Sequence, residues 1–262
     1  KKIDKVKVVV SGAGASALSC VKLYRSLGVR LQNIFMYDSK GLIWKGREGL
    51  DNMKAPYAIH KSDIDFRDAF KKADVFLGLS RAGLVSKDMI ADMAKDPIVF
   101  ALANPEPEIS YKQATAARKD IIMATGRSDH PNQVNNVLGF PFIFRGALDV
   151  RATTINEEMK LAAVHAIAEL AKETIPEEVI EAYGEKSISF GKEQIIPKPL
   201  DPRLIYKVAP AVAKAAMESK VAKEPITDWE KYEHKLKKRL GLDNKLLRDI
   251  TLKAQSLSLI HI

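Results

Sequence analysis

The sequence predicts an α/β protein in which a doubly wound, mostly parallel sheet is followed by a helical C-terminal region. Three observations lead there. From Val6 to about Ala124, short apolar runs alternate with amphipathic helical stretches, as in a sheet covered on both faces. The runs are rich in valine and isoleucine and end in glycine or a small polar residue. After Asn136 the pattern becomes helical.

The first run, VKVVVSG, leads into a Gly-Ala-Gly turn, and a helix is expected from about Ala15. The runs NIFMYDS, VFLGLS, IVFALAN and DIIMATG follow, with helices expected to begin near Asp65, Ser86 and Ser110. Ser11, Asp38, Ser80, Asn104 and Gly126 close the runs and should gather along one edge of the sheet. In open α/β sheets ligands bind outside those carboxyl ends. Beyond Asn136, NNVLGFPFIFRGALDV reads as an apolar helix kinked or restarted at Pro141. Thr154 and Glu157 read as a capping box opening the next helix, whose expected buried face is Ile155, Met159, Ala162, Ala166, Ile167 and Leu170. FGKEQIIPKPLDPR should be an extended connection, and LIYKVAPAVAKAAMES a further amphipathic helix. The expected partition is a dinucleotide-binding domain over 1–136, a helical region over 137–222 and a basic helical linker over 223–256. The final LSLIHI, residues 257–262, reads as a translated sequencing-adapter end and is set aside from the fold.

Bulk properties narrow the function classes. A chain of 262 residues that is 46% apolar can bury a substantial core. No apolar run approaches the ~20 residues that span a bilayer, so no membrane partner is expected and a cytoplasmic location is the default. The single cysteine, Cys20, excludes an internal disulfide framework and reads as a small buried residue. A net charge of +9 raises the question of a polyanion, and the tail segment KLKKRL concentrates part of it. Leucines between those charges at helical spacing favour a solvated helix face, so nucleic acid is not expected. His60, His130, His165 and His234 show no metal-ligand spacing.

Gly12, Gly14 and Ala17 form G-x-G-x-x-A between a strand and a helix. The first glycine allows the tight turn, the second lets the backbone approach a pyrophosphate, and the small third residue lets helix and strand pack closely. Asp38 closes the next run near the usual spacing for an acid that binds ribose, which makes the sheet Rossmann-type. A carboxylate alone there favours NAD. Ser39, Lys40 and Arg47 beside it could instead accept NADP, and spacing alone leaves both open. Asn104, Asn135 and Asn136 fall at strand ends or helix starts, where an amide can hold a small polar acid or cap a turn.

The blocks VVVSGAGASA, YDSKGLIWKGR, FALANPEPEI, TGRSDHPNQVNNVLGFPFIFRGALDV, INEEMKLAAVHAIAELA and QIIPKPLDPRLIYKVAPAVAKAAMESKVA together resemble bacterial malic enzymes. The likeness is to the large NADP-dependent type that carries a phosphotransacetylase-like domain, and it extends to about Leu242. It implies oxidative decarboxylation of L-malate to pyruvate and carbon dioxide, with NADP (NAD possible) and Mg²⁺ or Mn²⁺ in the complete, homo-oligomeric enzyme. It places Gly12, Gly14 and Ala17 on the pyrophosphate, Asp38 on the adenosine ribose and Ser39 with Lys40 on the NADP side. Asn104, Asn135 and Asn136 become malate ligands. The family's base, acid and metal ligands belong to a segment before the glycine turn, so a cofactor-binding fragment with no catalytic or metal residue of its own is expected. The alternatives are another dehydrogenase of this architecture, such as an amino-acid dehydrogenase, or a non-catalytic basic module that binds polyanions.

Overall fold

A computed structural model describes residues 1–60 and 64–240. The end of the basic segment and the adapter-like hexapeptide lie outside the described residues.

Among the described residues six strands form one sheet: β1 (Val8–Ser11), β2 (Ile34–Asp38), β3 (Gly41–Leu42), β4 (Val75–Gly78), β5 (Ile98–Ala101) and β6 (Ile122–Thr125). Their spatial order is β3-β2-β1-β4-β5-β6, the dinucleotide-binding order. All neighbours are parallel except β3, which turns back antiparallel on β2 through Tyr37–Leu42 and Asp38–Gly41. The apolar runs become strands because both faces are covered: all four residues of β1 are buried. Alternate residues feed opposite faces. Val9, Phe35 and Phe76 enter one core with Phe70, Ile90 and Met123, whereas Val8, Val10, Ile34, Met36 and Leu77 enter the other with Ala17 and Val21.

Register decides where the site lies. Val8 is level with Ile34 and Val75, Val75 with Ile98 and Ile98 with Ile122, so the strands start together and end together. The crossover helices are α1 (Ala15–Ser26), α2 (Phe66–Ala69), α3 (Lys87–Ala91) and α4 (Tyr111–Ala117). Asp65, Ser86 and Ser110 accept first-turn N–H groups from Arg67, Met89 and Gln113, which sets the expected helix starts. The two-residue strand β3 carries no alternation or length signal in sequence and was not expected.

The remaining helices are α5 (Phe140–Asp149), α6 (Glu157–Lys172), α7 (Glu177–Ala182), α8 (Arg203–Glu218) and α9 (Trp229–Arg239). Pro141 lies in the first turn of α5, where its missing N–H costs nothing, so the helix restarts there after a short turn at Asn136–Leu138. The cap of α6 differs from expectation: Asn156, not Thr154, accepts from Met159 N–H at 3.1 Å. Thr153 is still bonded to the Val221 carbonyl at 2.9 Å, which keeps the chain extended past Thr154. The buried residues of α6 are Met159, Ala163, Leu170 and Ala171, so Ala162, Ala166 and Ile167 sit at the margin of the buried stripe and not at its centre. Helices α5 and α8 meet at Gly146, where an added Cβ would lie 2.9 Å from Val212 Cβ and against the Ala209 carbonyl. In α9 Tyr232 and Leu236 are buried while Lys235 and Lys238 face solvent.

The described residues cluster into two compact units, one of Lys1–Asn135 with Phe190–Ile196 and one of Asn136–Ser189 with residues 197–240. The proline-rich connection thus returns to the first unit. Buried Asn132 holds it there, donating to the Met123 and Lys192 carbonyls at 3.0 and 2.6 Å and accepting from Ile195 N–H at 2.9 Å. Among the described residues no helix is long and apolar enough to cross a membrane.

Candidate functional site at the carboxyl edge of the sheet

The turn after β1 is built for close approach. Gly12 has φ 110°, and a Cβ there would stand 2.6 Å from the Leu79 carbonyl oxygen, so only glycine fits. Its N–H donates to the Tyr37 carbonyl at 2.8 Å, tying the turn to β2. Gly14 differs: a Cβ added there would meet nothing within 4 Å, so the space over its backbone is open. Gly14 caps α1 without a side-chain hydrogen bond, and Ala15 and Ser16 are exposed. The first N–H groups of this 12-residue helix therefore face open space with its positive dipole end behind them. Ala17 is buried at 1% exposure and lets α1 lie close to the sheet. An anionic pyrophosphate fits this cradle.

At the end of β2, Asp38 does not stand alone. Arg47 grips it with two hydrogen bonds, Nη1 to Oδ1 at 2.9 Å and Nη2 to Oδ2 at 2.6 Å. The two side chains are only 11% and 12% exposed, so this is a largely desolvated pair. Arg47 Nη1 also donates to the Gly41 and Leu42 carbonyls at 3.2 and 3.0 Å, which β3 brings into place. Lys54 Nζ lies 3.3 Å from Asp38 Oδ2 and 3.1 Å from Asp51 Oδ2. Burial would push the Asp38 carboxyl up, but Arg47, the Lys40 N–H and Lys54 outweigh it and bring it down to about 2. Lys54 is pulled up by Asp51 and Asp38. Ser39 and Lys40 are exposed beside the pair. Sequence spacing pointed to Arg47 but not to Lys54, whose position depends on the irregular chain between β3 and α2.

Farther along the same edge, Asn104 is exposed on the loop after β5. Asn135 follows β6 at the end of the first unit, while Asn136 opens the short turn of the second. Gly12, Gly14, Ala17, Asp38, Ser39, Lys40 and Asn104 thus share one sheet edge, and Asn136 belongs to the other unit. Beneath that edge lies an acid that sequence reasoning missed. Glu108 is fully buried, accepting from Ser80 N–H at 3.0 Å and Ala103 N–H at 3.1 Å. Its only sequence signal is its place between the apolar residues Pro107 and Ile109, and exposed Glu106 two residues earlier looks the same in sequence.

Residues 1–182 match the malic enzyme NAD-binding domain. The chain belongs to the malic enzyme family. It is 54% identical over 258 residues to an NADP-dependent malic enzyme of Haemophilus influenzae, covering 98% of this chain and 34% of that protein. It is also 54% identical over 237 residues to an NAD-dependent malic enzyme of Rhizobium meliloti, covering 90% of this chain and 31% of that one. The chain therefore spans about a third of the length of these relatives. The crystal structure of the malic enzyme of Entamoeba histolytica superposes with a TM-score of 0.80 at 34% identity, covering 95% of this chain and 51% of that one. These matches confirm the resemblance and the Rossmann-type fold, and they set aside the amino-acid dehydrogenase alternative.

Proposed function

We propose that this chain supplies the NADP-binding part of a malic enzyme, which oxidises and decarboxylates L-malate to pyruvate and carbon dioxide. Relatives of equal identity carry both cofactor names, so overall similarity does not choose between NADP and NAD. The observation that carries the reading is the neutralised Asp38. An acid in this position repels a 2′-phosphate when it stands uncompensated. Here Arg47 and Lys54 oppose its charge, and exposed Lys40 adds a further cation beside Ser39. The adenosine end of the site is net positive even with Asp51 included. It suits a phosphorylated ribose.

In this reading Gly12, Gly14 and the start of α1 hold the pyrophosphate, Asp38 orients the ribose, and Ser39 with Lys40 meets the 2′-phosphate. The bound dinucleotide supplies a hydride acceptor. Asn104, Asn135 and Asn136 carry amides suited to the carboxylates and hydroxyl of malate. Among the described residues no three His, Cys, Asp or Glu side chains group as a metal-ligand set. These residues do not fit a divalent ion.

The test is equilibrium binding of 2′,5′-ADP against 5′-AMP, probes that differ only in the 2′-phosphate. The reading expects the 2′-phosphorylated probe to bind at least about tenfold tighter, with the difference shrinking as salt rises. Equal affinity would refute NADP selection. Binding of neither would refute the nucleotide site.

A further inference from the structure

We propose that Glu108 is a positioning residue: its buried carboxyl clamps the loops after β4 and β5, and so fixes both the Gly12 turn and Asn104. The inference rests on the dinucleotide reading of the edge. The geometry of the clamp stands independently of it.

Glu108 is completely buried and forms no ion pair among the described residues. A buried carboxyl without a cation is costly, and its two oxygens are committed to backbone donors on different loops. Oε1 takes the N–H of Ser80, two residues past β4, and Oε2 takes the N–H of Ala103, two residues past β5. Each loop leads straight to the site. Ser80 Oγ is hydrogen-bonded to Ser11 Oγ, the residue before Gly12. The preceding carbonyl, that of Leu79, is the atom on which Gly12 packs. On the other side Ala103 directly precedes Asn104.

The sheet makes room for the clamp at one residue. A Cβ at Gly78, the last residue of β4, would fall onto the Glu108 carboxyl group. Gly78 has no positive φ, so its lack of a side chain is required by the carboxyl and not by the backbone. The main chain reinforces the arrangement: Val85 N–H donates to the Glu108 carbonyl at 3.0 Å and Gly83 N–H to the Pro107 carbonyl at 3.2 Å. Glu108 thus stands between the cofactor turn and the substrate amide, touching neither. Its effect on binding is indirect, through the loops it spans.

The experiment uses the full chain and four variants, E108Q, E108A, G78A and the double variant E108A/G78A. Glutamine can accept one of the two N–H groups but presents an NH₂ to the other. E108Q is therefore expected to speed amide exchange selectively at Ser80 or Ala103, and to weaken NADP and NAD by the same factor, roughly tenfold. A loss common to both dinucleotides distinguishes the clamp from the 2′-phosphate contacts, whose variants change their ratio. G78A should act from the other side, displacing the carboxyl and mimicking E108Q. In E108A/G78A the added methyl enters the vacated space, so the double variant should unfold no more readily than E108A alone.

Unchanged exchange at both amides in E108Q would overturn the clamp. Unchanged dinucleotide affinity with increased exchange would overturn the positioning role. A wild-type chain that bound neither dinucleotide would refute the functional reading and with it the effect on binding, while the exchange and double-variant results would still decide the clamp.

Discussion

Replacing Arg47 by methionine removes the guanidinium but keeps much of the apolar stem, so its consequences can be worked from the pair itself. Breaking a buried ion pair costs about 3–5 kcal/mol when the remaining charge is left alone. Lys54 remains at 3.3 Å from Asp38, so the expected loss for Arg47→Met is lower, about 2–3 kcal/mol. For a unit of this size that lowers the unfolding temperature by roughly 4–12 °C. The carboxyl of Asp38 at about 2, against 3.8 for an ordinary aspartate, itself represents ~2 kcal/mol at neutral pH. Because the folded value is depressed, that contribution is complete above about pH 4 and disappears as pH falls through about 2. In the variant Asp38 should titrate higher, and the acid-side loss of stability should flatten. Denaturant unfolding across this pH range, with carboxyl carbon resonances of Asp38, measures both effects. NADP affinity should also fall more than NAD affinity. An unchanged unfolding free energy at neutral pH, or an Asp38 titration that stays where it was, would refute this account of the pair.

Gly12→Ala combines a left-handed backbone with a Cβ 2.6 Å from the Leu79 oxygen, so it should cost roughly 2–4 kcal/mol and abolish dinucleotide binding, read by thermal unfolding and titration. Asn132→Ala strands two carbonyls and one N–H, and should cost about 2–3 kcal/mol while raising amide exchange at Ile195 selectively. Gly146→Ala forces the Ala209 carbonyl and Val212 away from α5, an overpacking that should cost about 1–3 kcal/mol by denaturant unfolding and leave dinucleotide binding in place.

The parts that could be read from the sequence are those whose cause is local. Each strand except β3 is a short, mostly apolar run, and the helix starts at Asp65, Ser86 and Ser110 follow from side chains that cap their own first turns. The glycine turn was equally legible, because Gly12 answers to a backbone conformation and a close carbonyl. Where two candidate caps lay close together, Thr154 and Asn156, a distant bond decided: Thr153 is held by Val221, so the helix opens later. The short strand β3 has no periodicity to read. Yet by returning the chain it brings Arg47, and the loop beyond it Lys54, onto Asp38. Glu108 and Asn132 were missed for the same reason. Each is held by a backbone group distant in sequence, Ser80 for Glu108 and Lys192 with Ile195 for Asn132, which nothing in the residue's own neighbourhood names.

The central claim is that the carboxyl edge of this sheet binds a nicotinamide dinucleotide and selects the 2′-phosphorylated form. Calorimetric titration of the chain with NADP and with NAD, at the same moderate salt, tests it most directly. The account predicts saturable binding of NADP at least about tenfold tighter than NAD. NAD binding as tightly as NADP, or no heat of binding from either, would contradict it.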